Sequence, residues 1–512
     1  MNAGALIKKT LAKLTGPTPP QAAPRFSDLG ELYAARLTSL PPRRDDGKPK
    51  IGVLIMPWLF TPVPFFSMEC ALMLAESGAE VVLVWDASNV FLNAAKQSEV
   101  ETVRRVTERL AGIFRILDVE SVGGGPAGDP EFIDLLLFEN AVRQLKGEER
   151  ARQFLAEHPE IVAAMREHAG RIETMLAAEH FDWLLIPGGV WAASGLYVHL
   201  ARERGVHFTT YDCGVGSLFV AHDGAAAHFG DIARAFALLS ESATSEERAR
   251  LITAAHAELQ RRMEGRDVFR LQPKPAGATD DAASQCDIVV PLNYRSDSAA
   301  LARQRVFASV TDWLAQLLEW AARRGNVRVA VRQHPCERIP EYRGTDDWNR
   351  ILGPLLARSD RLCFIAAEDP VNTYDLIANA RVVLPFTSRV GIEAAMLGKP
   401  VILGTNCYYD SFAFVQNAAS ANSYFALIEQ ALGGNLVPDA KRREDAALVY
   451  YLAERCLALK TDFTPQPPDF WKWVEKPRDE LWSEPANADF REALLTREPA
   501  VWISHRRLSR DG

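Results

Sequence analysis

The chain has 512 residues, is 48% hydrophobic and 24% charged, and carries a formal net charge of −8 with a pI near 5.8. That composition is ordinary for a folded globular protein, and the length calls for two or more domains. No basic face or arm dominates, which excludes a nucleic-acid binder, and no apolar run is long enough to span a bilayer.

The seven cysteines (Cys70, Cys213, Cys286, Cys336, Cys363, Cys407 and Cys456) are odd in number and scattered. They form no C-x-x-C pair, which argues for a reducing, cytoplasmic compartment and against a zinc site or a disulfide framework. Met1 to Thr15 interleaves Lys8, Lys9 and Lys13 with Leu6, Ile7, Leu11 and Leu14. It lacks a continuous apolar core and is not expected to be a secretory signal. Two readings stay open for it: a helix packed on the domain or frayed, or a basic amphipathic contact with the cytoplasmic face of an inner membrane. Gly16 to Pro24 reads as a Pro-rich linker, Asp28 to Ser39 as a helix, and Pro41 to Lys50 as a polar connector. Residues 1–50 thus form a preamble to the first domain.

The first domain is expected over 51–270. Ile51 to Met56 is an apolar strand, followed by an aromatic loop with Trp58 and Phe60. Ser67 to Glu76 is a helix stopped by Gly78, and Val81 to Trp85 is a strand ending at Asp86. This is a βαβ unit of Rossmann type without G-x-G-x-x-G, so no dinucleotide is expected. Glu99 to Leu176 reads as a helical insertion, with helices at Phe132 to Leu145 and Ile161 to Leu176. A buried strand, Phe181 to Pro187, precedes Gly188-Gly189, the helix Ala192 to Arg204 and the strand Val206 to Tyr211. Asp212 then stands at that strand's carboxyl end beside Gly214 and Gly216. A carboxylate there is the first candidate for a catalytic base on an acceptor hydroxyl, with His228 and Asp231 in reserve. A plain turn-capping role for Asp212 stays open. Ser242 to Arg262 is a helix with Glu246 and Glu247 in its first turn.

Phe269 to Ser284 is rich in Pro, Ala, Asp and Gly and is expected to link the domains. The second domain spans 285–440. Ile288 to Leu292 is a strand with Asn293 to Asp297 at its carboxyl end. Val306 to Arg323 is an amphipathic helix with Val310, Trp313, Leu317 and Trp320 on one stripe, a core face. Val327, Val329 and Val331 alternate along the next strand, placing Arg332 and His334 at its end. Asn372 and Tyr374 open a helix before the strand Ala380 to Leu384. Thr387 and Ser388 then open a helix carrying Gly391 and Glu393, which Gly398 ends before the strand Val401 to Leu403.

These polar groups sit where open α/β sheets bind ligands. A helix start with a hydroxyl pair suits a phosphate. Arg332 would neutralise it, His334 donate to it, and Glu393, Asn372 and Tyr374 contact ribose or base. Ser388 and Asn372 each also read as plain N-caps. Taken in order, the set describes a nucleotide site. Beyond it, helices run over Ala421 to Leu432 and Ala446 to Leu459. The tail, within 441–512, carries Phe470, Trp471, Trp473, Trp482 and Trp502, which would not stay in water, and is expected to wrap back onto the first domain.

The series His334-Pro335, Val371-Asn372-Thr373-Tyr374-Asp375-Leu376-Ile377 and Thr387-Ser388-x-x-Gly391-x-Glu393-Ala394-x-x-x-Gly398-Lys399-Pro400-Val401-Ile402 resembles the capsule polysaccharide synthesis family. That family resembles bacterial Kdo-transferases and, more distantly, sialyltransferases. The likeness covers residues 285–430 and the N-terminal half only loosely. It implies an α/β fold of two Rossmann-like domains facing each other across a cleft, the GT-B arrangement, with the acceptor on 51–270 and a nucleotide-sugar on 285–440. It also implies a glycosyltransferase that moves a sugar to a capsule- or lipopolysaccharide-type glycan or glycolipid acceptor. No cofactor and no metal are expected, since no D-x-D motif stands in a suitable loop. A sugar-nucleotide epimerase, a polyol-phosphate transferase and a non-catalytic glycan-assembly subunit stay open as alternatives.

Overall fold

The computed structural model describes residues 30, 49–57, 62–88, 97–125, 129–214, 216–275, 285–461 and 476–511. The basic stretch Met1 to Thr15, the helix expected at Asp28 to Ser39 apart from Gly30, Trp58 and Phe60, and Phe470, Trp471 and Trp473 lie outside the described residues. The chain forms two compact units. One comprises Met1–Leu137, Leu155–Asp231 and Cys456–Gly512, the other Phe138–Phe154 and Ile232–Arg455.

The first unit is built on β1 (Lys50–Ile55), β2 (Glu80–Trp85), β3 (Arg115–Asp118), β4 (Trp183–Pro187), β5 (His207–Gly214) and β6 (Ser217–His222). Their lateral order is β6-β5-β4-β1-β2-β3. β1 to β5 are all parallel, with Val53 opposite Leu83 on one side and Leu185 on the other. That is the doubly wound order 3-2-1-4-5. Strands buried on both faces read as continuous apolar runs, as β1 and β4 do. The helix Val63–Glu76 is buried almost all round, with prolines at its start where missing N–H groups do no harm. β6 returns antiparallel to β5, and the short strand Leu459–Lys460 adds antiparallel to β6. β3, with only Ile116 and Leu117 between Arg115 and Asp118, carries little of the apolar signature of the other strands. β3 lies inside a stretch expected to be helical, and β6 follows the strand expected to end at Tyr211.

The second unit repeats the order. β7 (Ile288–Pro291), β8 (Val329–Arg332), β9 (Leu362–Ile365) and β10 (Val382–Val383) lie as β9-β8-β7-β10, all parallel. Val401 bridges Val383 in parallel and leads into β11 (Ile402–Leu403), which pairs with β12 (Gln416–Asn417). The helix Val310–Arg324 is capped by Ser309, whose Oγ accepts from Asp312 N at 3.1 Å, and stops at Gly325. It buries Trp313, Leu314, Leu317 and Leu318 against the sheet.

The division between the units differs from the one expected from composition. The helix Ser245–Met263 belongs to the second unit, packing on Ala440–Tyr451 with Arg248 3.5 Å from Asp445. A short piece, Phe138–Phe154, also joins that unit. The expected linker Phe269 to Ser284 therefore does not fall at the division between the units, and its residues 276–284 lie outside the described residues.

The C-terminal helices Arg478–Ser483, Pro485–Thr496 and Ala500–Asp511 belong to the first unit. Phe490 stacks near Trp482 and meets Phe66 at 5.6 Å between ring centres. Arg478 pairs with the fully buried Glu69 at 2.5 Å. Among the described residues no helix is long and apolar enough to cross a membrane. Phe490→Ala should lower the unfolding free energy by about 3–5 kcal/mol, since the ring is fully buried. Urea denaturation checks this; a loss under about 1 kcal/mol would mean that the C-terminal helices do not share the first core.

Candidate functional site

In a sheet of this order the crevice opens where the winding reverses, between the carboxyl ends of β7 and β10. The segment after β10 is fixed there from several sides. Asn293, just past β7, accepts from Thr387 N through Oδ1 at 3.2 Å and donates through Nδ2 to Asp297 at 2.7 Å. The Thr405 hydroxyl donates to Phe386 O, and the Tyr409 hydroxyl donates to Ser388 O at 2.6 Å. Gly391 lies against the same tyrosine: a Cβ there would come 2.3 Å from the Tyr409 hydroxyl oxygen. Glycine is required by that packing, so its expected role in ligand binding is corrected to a packing role.

The helix begins at Val390, later than expected, and has no side-chain cap. Ser388 Oγ accepts only loosely from Val390 N, at 3.4 Å. Thr387 Oγ1 is buried and has no hydrogen-bond partner among the described residues. A backbone held this firmly beside an unpartnered hydroxyl presents a donor in a fixed position.

His334 follows β8 and caps the short turn Pro335–Arg338. Its Nδ1 accepts from Cys336 N at 3.2 Å and lies 2.9 Å from Cys336 Sγ. An acceptor at Nδ1 puts the ring proton on Nε2, so the imidazole is a donor there. Burial, and then the nearby Arg332 charge, push the His334 pKa down to about 4, so the ring is neutral near pH 7.

Four other expected ligands are engaged within the protein. Arg332 is 1% exposed and donates to the carbonyls of Ala366, of Val371 at 3.1 Å and of Asp369 at 3.4 Å. It holds the loop after β9 and does not reach out to a phosphate. Burial lowers its pKa to about 10, which leaves it charged. Asn372 caps the helix Thr373–Asn379 by accepting from Tyr374 N, and its Nδ2 donates to Met263 O and Pro273 O, all at 2.8 Å. Its side-chain polar atoms are engaged, so contact with base or ribose is corrected to a structural role. Tyr374 is buried and donates its hydroxyl to Glu393 at 2.8 Å. Glu393, 1% exposed, also pairs with Arg262 at 3.0 Å, which removes it from ribose hydroxyls. Arg262 carried no signal in the sequence: it ends a helix 131 residues away from its partner.

The three candidates in the first unit fare differently from the expectation too. β5 runs on through Asp212, which pairs with Phe219 across an antiparallel ladder. Asp212 Oδ1 accepts from Cys213 N at 2.8 Å. The premise for a base, a position beyond the strand's end, does not hold. Asp231 is 1% exposed and accepts from His222 N at 3.0 Å, tying β6 to the turn that follows it. His228 ends the short turn Ala226–His228 and is half-buried.

Beside the β7 end lies a pocket lined by Glu139, Glu148, Asn293, Tyr294, Arg295 and Trp348, among others. Arg295 is its fixed cation. It lies 2.8 Å from Glu148, donates to Asp346 at 2.7 Å and sits 5.4 Å over the Trp348 ring. Glu139, buried and bonded to Gln304, is the carboxyl that this arginine does not engage directly. Burial pushes its pKa up to about 7, with Arg295 opposing.

Residues 248–422 match the model of a family described as capsule polysaccharide biosynthesis protein. This is the family that the motifs from His334 to Ile402 resemble, and the matched segment contains them. A beta Kdo 2,4 transferase, KpsC of Thermosulfurimonas dismutans, aligns at 18% identity and a TM-score of 0.33, over 53% of this chain and 80% of that one. A UDP-GlcNAc 2-epimerase from Neisseria meningitidis, solved with UDP-GlcNAc, aligns at 12% and 0.24, over 79% and 100%. The calicheamicin glycosyltransferase CalG4 aligns at 11% and 0.25, over 80% and 95%. No curated protein matches the chain significantly.

Glu139 gives the second unit a pH signature. Its folded pKa lies above the ordinary 4.5, so the protonated form is favoured on folding. The stability it contributes is full below 4.5 and falls by about 1.4 kcal/mol per pH unit as pH rises toward 7. Glu139→Gln should flatten that part of the profile, measured as melting temperature between pH 4.5 and 7.5. A variant with an unchanged slope would remove Glu139 as its source.

Proposed function

We propose that the chain is a glycosyltransferase that takes a sugar from a nucleotide-linked donor held by the second unit and passes it to a growing capsule- or lipopolysaccharide-type glycan. The observation that carries this reading is the fixed tautomer of His334. A neutral ring with its proton on Nε2, at the carboxyl end of β8, is a hydrogen-bond donor that stays a donor across the neutral range. When the bond from the sugar's anomeric carbon to the phosphate breaks, negative charge develops on the departing phosphate oxygen. His334 Nε2–H and the Thr387 hydroxyl would donate to it, and Ser388 would complete the set. Arg332 acts behind them. Its charge is balanced by carbonyl dipoles and lends a positive potential to the strand ends without touching the ligand.

These groups supply the donors that the leaving phosphate needs, so transfer is proposed to run without a metal. Activity should persist in excess EDTA; loss that manganese restores would overturn this part. The acceptor's proton is taken by a group not yet assigned, since the ground for choosing Asp212 is gone. The reading places the protein on the cytoplasmic side, where nucleotide-sugars are used.

A thermal-shift panel of CMP, UMP, UDP, GDP, ADP and TDP tests the donor site. At about a hundred times its dissociation constant, the right nucleotide should add about 2.7 kcal/mol of stability. His334→Ala should reduce that shift, whereas Tyr374→Phe should leave it in place because Tyr374 serves Glu393 and not the ligand. Because His334 titrates near pH 4, its contribution should be constant from pH 5.5 to 8. A panel in which no nucleotide shifts the wild type would overturn the reading in favour of a non-catalytic assembly subunit.

A further inference from the structure

The helix Ser245–Met263 leads into a loop whose two arms are clasped at the base. Gly265, at φ +64°, lets them meet: a Cβ there would fall 2.3 Å from Gln272 O. Asn372 Nδ2 donates to Met263 O on one arm and Pro273 O on the other, and Gln272 Oε1 accepts from Thr373 N at 3.0 Å. Inside the loop, Asp267 pairs with Arg262 at 3.4 Å and accepts from Arg270 N at 2.9 Å. Arg270 itself is held at φ +49°, a conformation that only a fixed turn sustains.

This rigid base holds out two apolar side chains. Val268 is 89% exposed and Phe269 is 59% exposed, the highest values for large apolar residues among those described. Around them stand cations. Arg266, Arg270 and Lys274 are exposed, and Arg338 donates to Arg270 O at 3.3 Å. The acids of the loop are taken: Asp267 by Arg262, and Glu264 by Gln260 and Arg266.

We propose that this loop, 264–274, docks on an anionic lipid surface, with Val268 and Phe269 entering the interface and Arg270 and Lys274 lying among the headgroups, Arg266 being paired with Glu264. In water the pair costs apolar hydration and serves no packing among the described residues. At a bilayer surface the apolar tip is buried while the flanking cations meet lipid phosphates, which is the pattern of a peripheral anchor. The loop tip touches none of the groups assigned to the donor site, so this inference and the donor reading stand or fall separately.

Co-sedimentation of the full chain with phosphatidylcholine vesicles, with and without phosphatidylglycerol, tests it. Binding is expected only with the anionic lipid, and should weaken as salt is raised. Val268→Asp/Phe269→Asp should lower the partition coefficient by about tenfold or more, since it replaces two apolar groups with charge. Its melting temperature and its nucleotide shifts should match the wild type. Arg270→Glu/Lys274→Glu should lose the preference for anionic lipid. Absence of binding, or equal binding by the tip variant, would overturn the proposal, the latter in favour of the basic stretch Met1 to Thr15. A tip variant that converts a dimer to a monomer in analytical ultracentrifugation would overturn it in favour of contact with a second copy.

Discussion

Arg262 is the residue on which the carboxyl-end edge of the second unit's sheet depends. It is a buried cation that lies 3.0 Å from Glu393, 3.2 Å from Glu454 and 3.4 Å from Asp267. Burial works against its charge, and the carboxylates outweigh burial, so its pKa stands above the ordinary value. Each partner belongs to a different element: the helix Val390–Met396, the turn Leu452–Cys456 and the loop after Met263. Removing one member of such a buried set leaves the others without compensation, at a cost of about 3–5 kcal/mol. The network therefore fixes where the helix after Ser388 begins, and with it the position of Thr387.

The same logic separates two kinds of polar residue at the strand ends. Asn372, Tyr374 and Glu393 have their side-chain groups turned to carbonyls, amides or one another, and Arg332 turns its two terminal nitrogens to carbonyls, its buried Nε alone lacking a partner among the described residues. They convert loops into rigid supports. His334 and Thr387 each keep one donor that no described neighbour accepts, and each is held by bonds to its backbone or to its other ring nitrogen. A site that holds its donors by such secondary bonds keeps their geometry when a charge appears opposite them, which is what preorganised stabilisation requires.

Much of this is legible in the sequence, for physical reasons that also explain what is not. Parallel strands buried on both faces announce themselves as apolar runs, so β1, β2, β4, β7 and β8 are readable. Capping chemistry is local, so Asn372 reads as a cap from its neighbours alone. β3 lacks the apolar run; β6 has one in Leu218 to Ala221, but its antiparallel return, which changes the meaning of Asp212, leaves no local mark. Long-range charge pairing leaves no local trace. Nothing near Glu393 says that its partner is Arg262, and a buried carboxylate on a helix reads the same whether it meets ribose or arginine. The donor tautomer of His334 stands between these cases. The His-Pro pair signals a turn, and the Cys336 amide that selects the tautomer is two residues away, but the Arg332 side chain, expected at a phosphate, turns to carbonyls instead.

The two units share one strand order and differ in how the polar groups at their carboxyl ends are satisfied. At the end of β2, Asp86 is buried and accepts from Ser88, from His168 at 2.8 Å and from Tyr197 at 2.9 Å. Burial alone would raise its pKa; His168 and Ser88 overcome that and hold it below the ordinary value. A carboxylate with that many donors, closed off from solvent, has no remaining capacity for a ligand hydroxyl. Its cluster serves the fold, tying β2 to the helices Pro159–Glu179 and Ala192–Glu203. At the end of β8 the corresponding histidine retains its Nε2 proton, and after β10 a threonine hydroxyl remains unpartnered among the described residues. Topology alone would make both edges candidates for binding. The distribution of satisfied and unsatisfied polar groups favours the second, and that asymmetry agrees with where the recognisable motifs lie.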